Sequence, residues 1–186
     1  SLLVELLARR TSVPVRQAAD GLAVLADHVY VIPPGAYLSI VDDRFRLTES
    51  PEHTLRLPVD FFLRSLAQVR GQRAIGVVLS GTGADGTLGL KAIREAGGFT
   101  LAQDPGEAAF DGMPRSAMDC GAADRVLPVR DMPAAIIGFA TRDYASNGGA
   151  PEAEEPMPVT EDADARAFLI AAEEDFGITP LEAQSC

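Results

Sequence analysis

The sequence has no tryptophan and only two cysteines and two histidines in 186 residues, and each scarcity removes a class of chemistry. Cys120 and Cys186 fall in segments that read as separate, so they build no disulfide framework; reduced thiols in a cytoplasmic protein are expected. His28 and His53 are the whole histidine supply. No Cys, His and carboxylate cluster has metal-ligand spacing, so no metal and no other cofactor is expected. No apolar run approaches the roughly 18 residues of a membrane span. No basic-then-apolar leader opens the chain. Membrane insertion and secretion are therefore not expected.

What is present describes an ordinary globular chain, 47% hydrophobic and 23% charged. The net charge of -11 is unevenly spread. From Pro151 to Cys186 there are ten acids against one base, Arg166, whereas residues 1–150 hold 17 acids and 15 bases. The body is nearly neutral and carries no basic patch, so nucleic acid is not an expected partner.

Periodicity organises the body. Residues 1–10 read as an amphipathic helical end, and Val13 to Ala18 as a short strand. A β-branched and aromatic run, His28-Val-Tyr-Val-Ile, is stopped by Pro33-Pro34-Gly35. A hairpin follows, with Leu38 and Ile40 on one arm and Phe45 and Leu47 on the other, about a turn near Asp42-Asp43-Arg44. Residues 59–70 carry a helical stripe. Ala74 to Leu79 is a continuous apolar run suited to a strand buried on both faces. A helix with Gly89, Ala92, Ile93 and Ala96 on one side ends at Gly97-Gly98. Then come a strand from Phe99 to Gln103, a short helix bracketed by Pro114 and Gly121, a strand over Arg125 to Val129 and a helix over Pro133 to Phe139. This alternation predicts an α/β fold: a doubly wound, mostly parallel, Rossmann-like three-layer sheet with one β-hairpin and an acidic C-terminal tail. Residues 1–142 form the body and 143–164 a Pro/Gly-rich acidic linker. Residues 165–186 open with a stripe of Phe168, Leu169, Ala172 and Phe176, read as a short helix that could begin a following domain.

The stretch LSGTGADGTLGL at 79–90 is the most informative. Gly81, Gly83 and Gly86 fit G-x-G-x-x-G ahead of a helix, and Asp104 lies about where a ribose-binding acid would, which suggests a dinucleotide cradle. Asp85 opposes that reading, because a carboxylate at a helix mouth occupies the dipole's positive end and repels pyrophosphate. Two other readings stay open on these residues. Asp85 could cap its own helix by accepting the N–H of Thr87 or Leu88. Or it could hold a histidine tautomer as the third member of a hydrolase triad. Ser80 lacks the G-x-S-x-G elbow of an exposed nucleophile. His28 reads as structural and His53 as solvated, and Arg115 as either a surface cation or a loop clamp.

Taken together, VVLSGTGADGTLGLKAIREAGG at 77–98, LAQDPGEAAFDGMPRSAM at 101–118, HVYVIPPG at 28–35 and RLPVDFFLRSLA at 56–67 resemble the CheB-type chemotaxis receptor methylesterase domain. The GTGADGTLGL wording and the run into an acidic linker are similar to hybrids that fuse a methylesterase to a receptor methyltransferase. The resemblance covers about residues 1–142. It implies hydrolysis of glutamate methyl esters on receptors by a serine nucleophile, a histidine base and an oxyanion-binding backbone. The triad acid falls on Asp85. The Thr82 N–H, beside Gly83, falls on the oxyanion position, and Gly112, Met113 and Arg115 fall on the loop lining the substrate cleft. The implied partners are a methylated chemoreceptor and a fused methyltransferase domain.

The departures matter as much. The family's Gly-Ala-Ser-x-Gly-Gly turn and Gln-His pair do not occur in these residues, and neither His28 nor His53 matches the catalytic histidine. The resemblance starts after that pair. The chain is therefore expected to begin inside a longer protein, with two strands missing, a sheet that has a gap or an altered order, and marginal stability. On this reading it supplies the acid alone and is inactive by itself. The alternative is a catalytically silent interaction module within a hybrid signalling protein.

Overall fold

The computed structural model describes residues 2–49, 56–146 and 169–172, with side-chain surroundings up to 141. In chain order the elements are α1 (Leu2–Ala8), β1 (Val15–Gln17), β2 (Val29–Ile32), β3 (Ala36–Val41), β4 (Arg44–Glu49), α2 (Pro58–Arg70), β5 (Ile75–Val78), α3 (Thr87–Glu95), β6 (Phe99–Gln103), α4 (Gly112–Asp119), β7 (Arg125–Leu127), α5 (Met132–Ser146) and β8 (Leu169–Ala172). Each expected element of the body forms. The β3–β4 hairpin pairs Ile40 with Phe45 and Val41 with Arg44. Its two turn residues, Asp42 and Asp43, both adopt positive φ, at 50° and 57°, which is what a two-residue hairpin loop demands.

Strands β5, β6 and β7 form a parallel sheet in that order, with α3 and α4 as the crossovers. Alternation along β5 explains the layering. Val78 faces a core shared with Phe62, Leu66, Leu90 and Ile93, while Ile75 and Val77 face Phe99, Leu101, Met132 and the inner side of α5. Phe99 stacks on Phe139 of α5 at 4.8 Å. Every residue of β6 is buried, as befits a central strand covered on both sides.

A second parallel sheet has the order β1-β2-β8. Its Tyr30 and Ile32 enter the same core as Val78. β8 lies along β2 from Val29↔Leu169 to Ile32↔Ala172. This corrects one expectation. Leu169–Ala172 is a strand, not part of a helix; the pairing with β2 overrides the local helical stripe. Helix α5 also continues to Ser146, so residues 143–146 are helical rather than linker. Cys120 is not a free thiol, which corrects the expectation of two reduced cysteines. His53 and the linker from 147 to 164 lie outside the described residues. Among the described residues, no helix is long and apolar enough to cross a membrane.

Candidate active site

Two loops meet beyond the carboxyl ends of β5 and β6, the edge where parallel α/β sheets collect ligands. The first is Leu79 to Gly86, the second Asp104 to Asp111. They are sewn together by backbone. Gly81 N–H donates to Phe110 O at 3.0 Å and Met113 N–H to Gly81 O at 2.9 Å. Phe110 N–H donates to Ser80 Oγ at 2.9 Å, and Ser80 N–H to Gln103 Oε1 at 2.8 Å. The approach is so close that a Cβ on Gly81 would lie 2.3 Å from Met113 Sδ, and one on Gly112 only 2.9 Å from Gly83 N. At Gly112 the obstacle is backbone, so glycine is required there for steric reasons, whereas a side chain at Gly81 would displace Met113.

Asp85 is the centre of this edge. It is 5% exposed and three backbone donors converge on it. Oδ1 accepts from Asp60 N–H at 2.8 Å and Gly86 N–H at 2.9 Å; Oδ2 accepts from Val59 N–H at 3.0 Å. Val59 and Asp60 belong to the first turn of α2, whose start has Pro58 at its first position and no side-chain cap of its own. Asp85 therefore does cap a helix, but not the one that follows it. The expected bond to Thr87 or Leu88 is replaced by a cap on α2, brought alongside by the α2–α3 crossing. A carboxylate has about four acceptor positions. Oδ1 is filled twice and Oδ2 once, so among the described residues one position on Oδ2 has no donor.

Asp60 reciprocates. It is 4% exposed, and its Oδ1 accepts Gly89 N–H, in the first turn of α3, at 2.7 Å. Burial raises the pKa of both acids. Asp85 is pushed from 3.8 up to about 6, opposed by its backbone donors and reinforced by the charge of Asp60. Asp60 is raised as well, against the pull of Gly89 N–H and Arg64. Two buried acids thus occupy the starts of two adjacent helices. A pyrophosphate at the mouth of α3 would meet donors already in use and two carboxylates, which argues against the dinucleotide reading. Asp104 is spent locally, accepting Gly106 N–H at 2.8 Å.

The other expected site residues are distributed around this acid. Thr82 is exposed, and among the described residues the N–H groups of Thr82 and Gly83 donate to no acceptor. Gly83 turns at φ 78°. Gly112 abuts Gly83, whereas the Met113 side chain is buried against Gly81. Arg115 is half-exposed and paired with Asp111 at 2.6 Å; the pair lowers the pKa of Asp111 and raises that of Arg115. His28 is elsewhere: its Nδ1 lies 2.7 Å from Ala26 O and its ring stacks on Tyr30. Among the described residues no histidine bonds to Asp85. Sequence reasoning missed Asp60, although an acid two residues after a helix-starting proline was a usable signal.

Known proteins resemble the chain over most of the body. The family model described as "CheB methylesterase" matches residues 1–136. The chain is 45% identical over 127 residues, 68% of its length, to an uncharacterized 104.1 kDa protein of Rhodobacter capsulatus, of which that segment is 13%. It is 41% identical over 131 residues to protein-glutamate methylesterase/protein-glutamine glutaminase 2 of Anaeromyxobacter dehalogenans, covering 70% of this chain and 38% of that protein. Against the crystal structure of the Thermotoga maritima CheB methylesterase catalytic domain the TM-score is 0.69 at 31% identity, over 74% of this chain and 76% of that one. The chain thus spans less than two-fifths of these two sequence relatives. On the family match and the fold together, the chain belongs to the CheB methylesterase family.

Proposed function

We propose that this chain carries the acid half of a Ser–His–Asp site that hydrolyses glutamate methyl esters on chemoreceptors. The observation that carries the proposal is the open acceptor position on Asp85 Oδ2, in a carboxylate otherwise fixed by three backbone donors. A histidine Nδ1–H donating there would be held in the tautomer whose Nε2 takes the serine proton, and the imidazolium would be stabilised by a carboxylate that cannot rotate away. The serine Oγ then bonds to the ester carbonyl carbon. The carbonyl oxygen gains negative charge within reach of the free Thr82 N–H, and methanol leaves with the proton held by the histidine. Water attacks the acyl-serine and releases glutamate. Gly112 and Arg115 border the same edge and serve substrate positioning, with Met113 packing beneath it.

On this proposal the serine and histidine come from residues other than these 186. A methyltransferase segment fused to it is the further partner proposed. The test is methanol release from a methylated chemoreceptor. The full-length protein is expected to release methanol and the 186-residue chain alone to release none; rapid release by the chain alone would overturn this division of labour.

A second reading rests on the position of His28, locked against Ala26 and Tyr30. Here the chain is a silent interaction module of a signalling protein. Receptor binding without any methanol release from the full-length protein would favour it.

A further inference from the structure

Ester hydrolysis needs one triad acid, yet a second carboxylate is buried beside it. Asp60 contributes twice. Its main-chain N–H holds Asp85 Oδ1 at 2.8 Å, and its own Oδ1 clasps Gly89 N–H at 2.7 Å. Gly89 allows the approach, since a Cβ there would lie 2.5 Å from Leu63 Cβ and 3.2 Å from Asp60 Cα. The start of α2 is thereby tied to α3 on one side and to the loop before α3 on the other. We propose that Asp60 is a positioning residue: it fixes the rotation of the Asp85 carboxylate and so decides which acceptor position stays open for the histidine. The catalytic consequence rests on the methylesterase reading, whereas the coupling between the two acids does not.

The charges around the pair are few. Asp60 faces Asp85 from α2, and Arg64 is one turn along the same helix. Glu49 of β4 and Tyr37 of β3 line the cleft that Asp60 borders, and Lys91 and Glu95 of α3 share a groove with Arg64. A pair of caps that served stability alone would change the folded fraction and leave the turnover of folded molecules as before. A positioning residue changes the turnover of molecules that are folded.

Two variants of the full-length protein separate these cases. Asp60→Asn keeps the main-chain donor and an oxygen for Gly89 N–H but removes the charge that opposes Asp85 ionisation. The carboxyl carbon resonance of Asp85, followed by NMR, is expected to titrate below its wild-type midpoint near 6. Asp60→Ala removes the clasp. Its kcat is expected to fall about 10- to 100-fold, with KM for methylated receptor within about twofold, and its Gly89 amide is expected to exchange faster. Unchanged kcat in folded Asp60→Ala, or a kcat lowered as far in Asp60→Asn, whose oxygen still holds Gly89 N–H, would overturn the proposal. If Asp60→Ala does not fold, the kcat of Asp60→Asn decides, expected within about twofold of wild type. If the wild type releases no methanol, the methylesterase reading falls, and the Gly89 exchange in Asp60→Ala still decides whether Asp60 ties α2 to α3.

Discussion

Asp85 is held by three main-chain donors, yet its pKa stands near 6 because burial outweighs them. The sign of the consequence is fixed by linkage. Between about 4 and 6 the folded chain binds a proton that the unfolded chain has released, so this group's stabilisation is present at low pH and lost as pH rises through the folded value. The loss amounts to at most about 3 kcal/mol. Urea unfolding of the chain at pH 4.5 and 7.5 is expected to show wild type losing stability relative to Asp85→Asn over that interval. An identical pH dependence in the two would contradict the assignment. Asp85→Ala, which leaves the α2 donors without a partner, is expected to cost about 2 kcal/mol or more at any pH. Arg115 is different. Its pairing with Asp111 is exposed, so Arg115→Ala is expected to leave the melting temperature where it is while raising KM for methylated receptor in the full-length protein. Of these residues the sequence made Asp85 and Arg115 visible through their motifs. Asp60 carried a signal, an acid just after a helix-starting proline, but the helix dipole alone explains such an acid and gives no reason to place it in a site.

The helices α2 and α3 cross where Gly89 meets Leu63, and the crossing is what lets each helix cap the other. Gly89→Ala is expected to force the pair apart and cost about 1–3 kcal/mol, read by chemical denaturation. Its Asp60–Gly89 bond should weaken along with it, seen as faster exchange of the Gly89 amide. An unchanged midpoint would show that the helices have room to spare. Elements of this kind were legible from the sequence, because the stripe of Phe62, Leu63 and Leu66 and the small residues of α3 both follow helical spacing. The partner of a cap was not. Local pattern placed Asp85 at the start of α3, and only the packing of two helices delivers it to α2. The reverse error occurred at Leu169–Ala172, where an apolar run with helical spacing pairs as a strand with β2.

At the scale of the molecule, two parallel sheets share one core, and β8 covers an edge of β2 that would otherwise offer its backbone to another chain. Deleting residues 165–186 is expected to lower stability and promote self-association, measured by sedimentation. A monomer of unchanged stability would show that β8 is dispensable. The α/β layering was readable because β5 is a continuous apolar run, and strands alternate with amphipathic helices along the chain. The function was not readable from spacing, since the same glycines suit a phosphate cradle, and it took the paired motifs and then the buried geometry of Asp85 to decide against one. The most direct test is the rate of methanol release from a methylated chemoreceptor by the full-length protein, wild type against Asp85→Asn. The account expects kcat to fall by about two to four orders of magnitude with KM little changed. A variant that turns over as fast as wild type would contradict it.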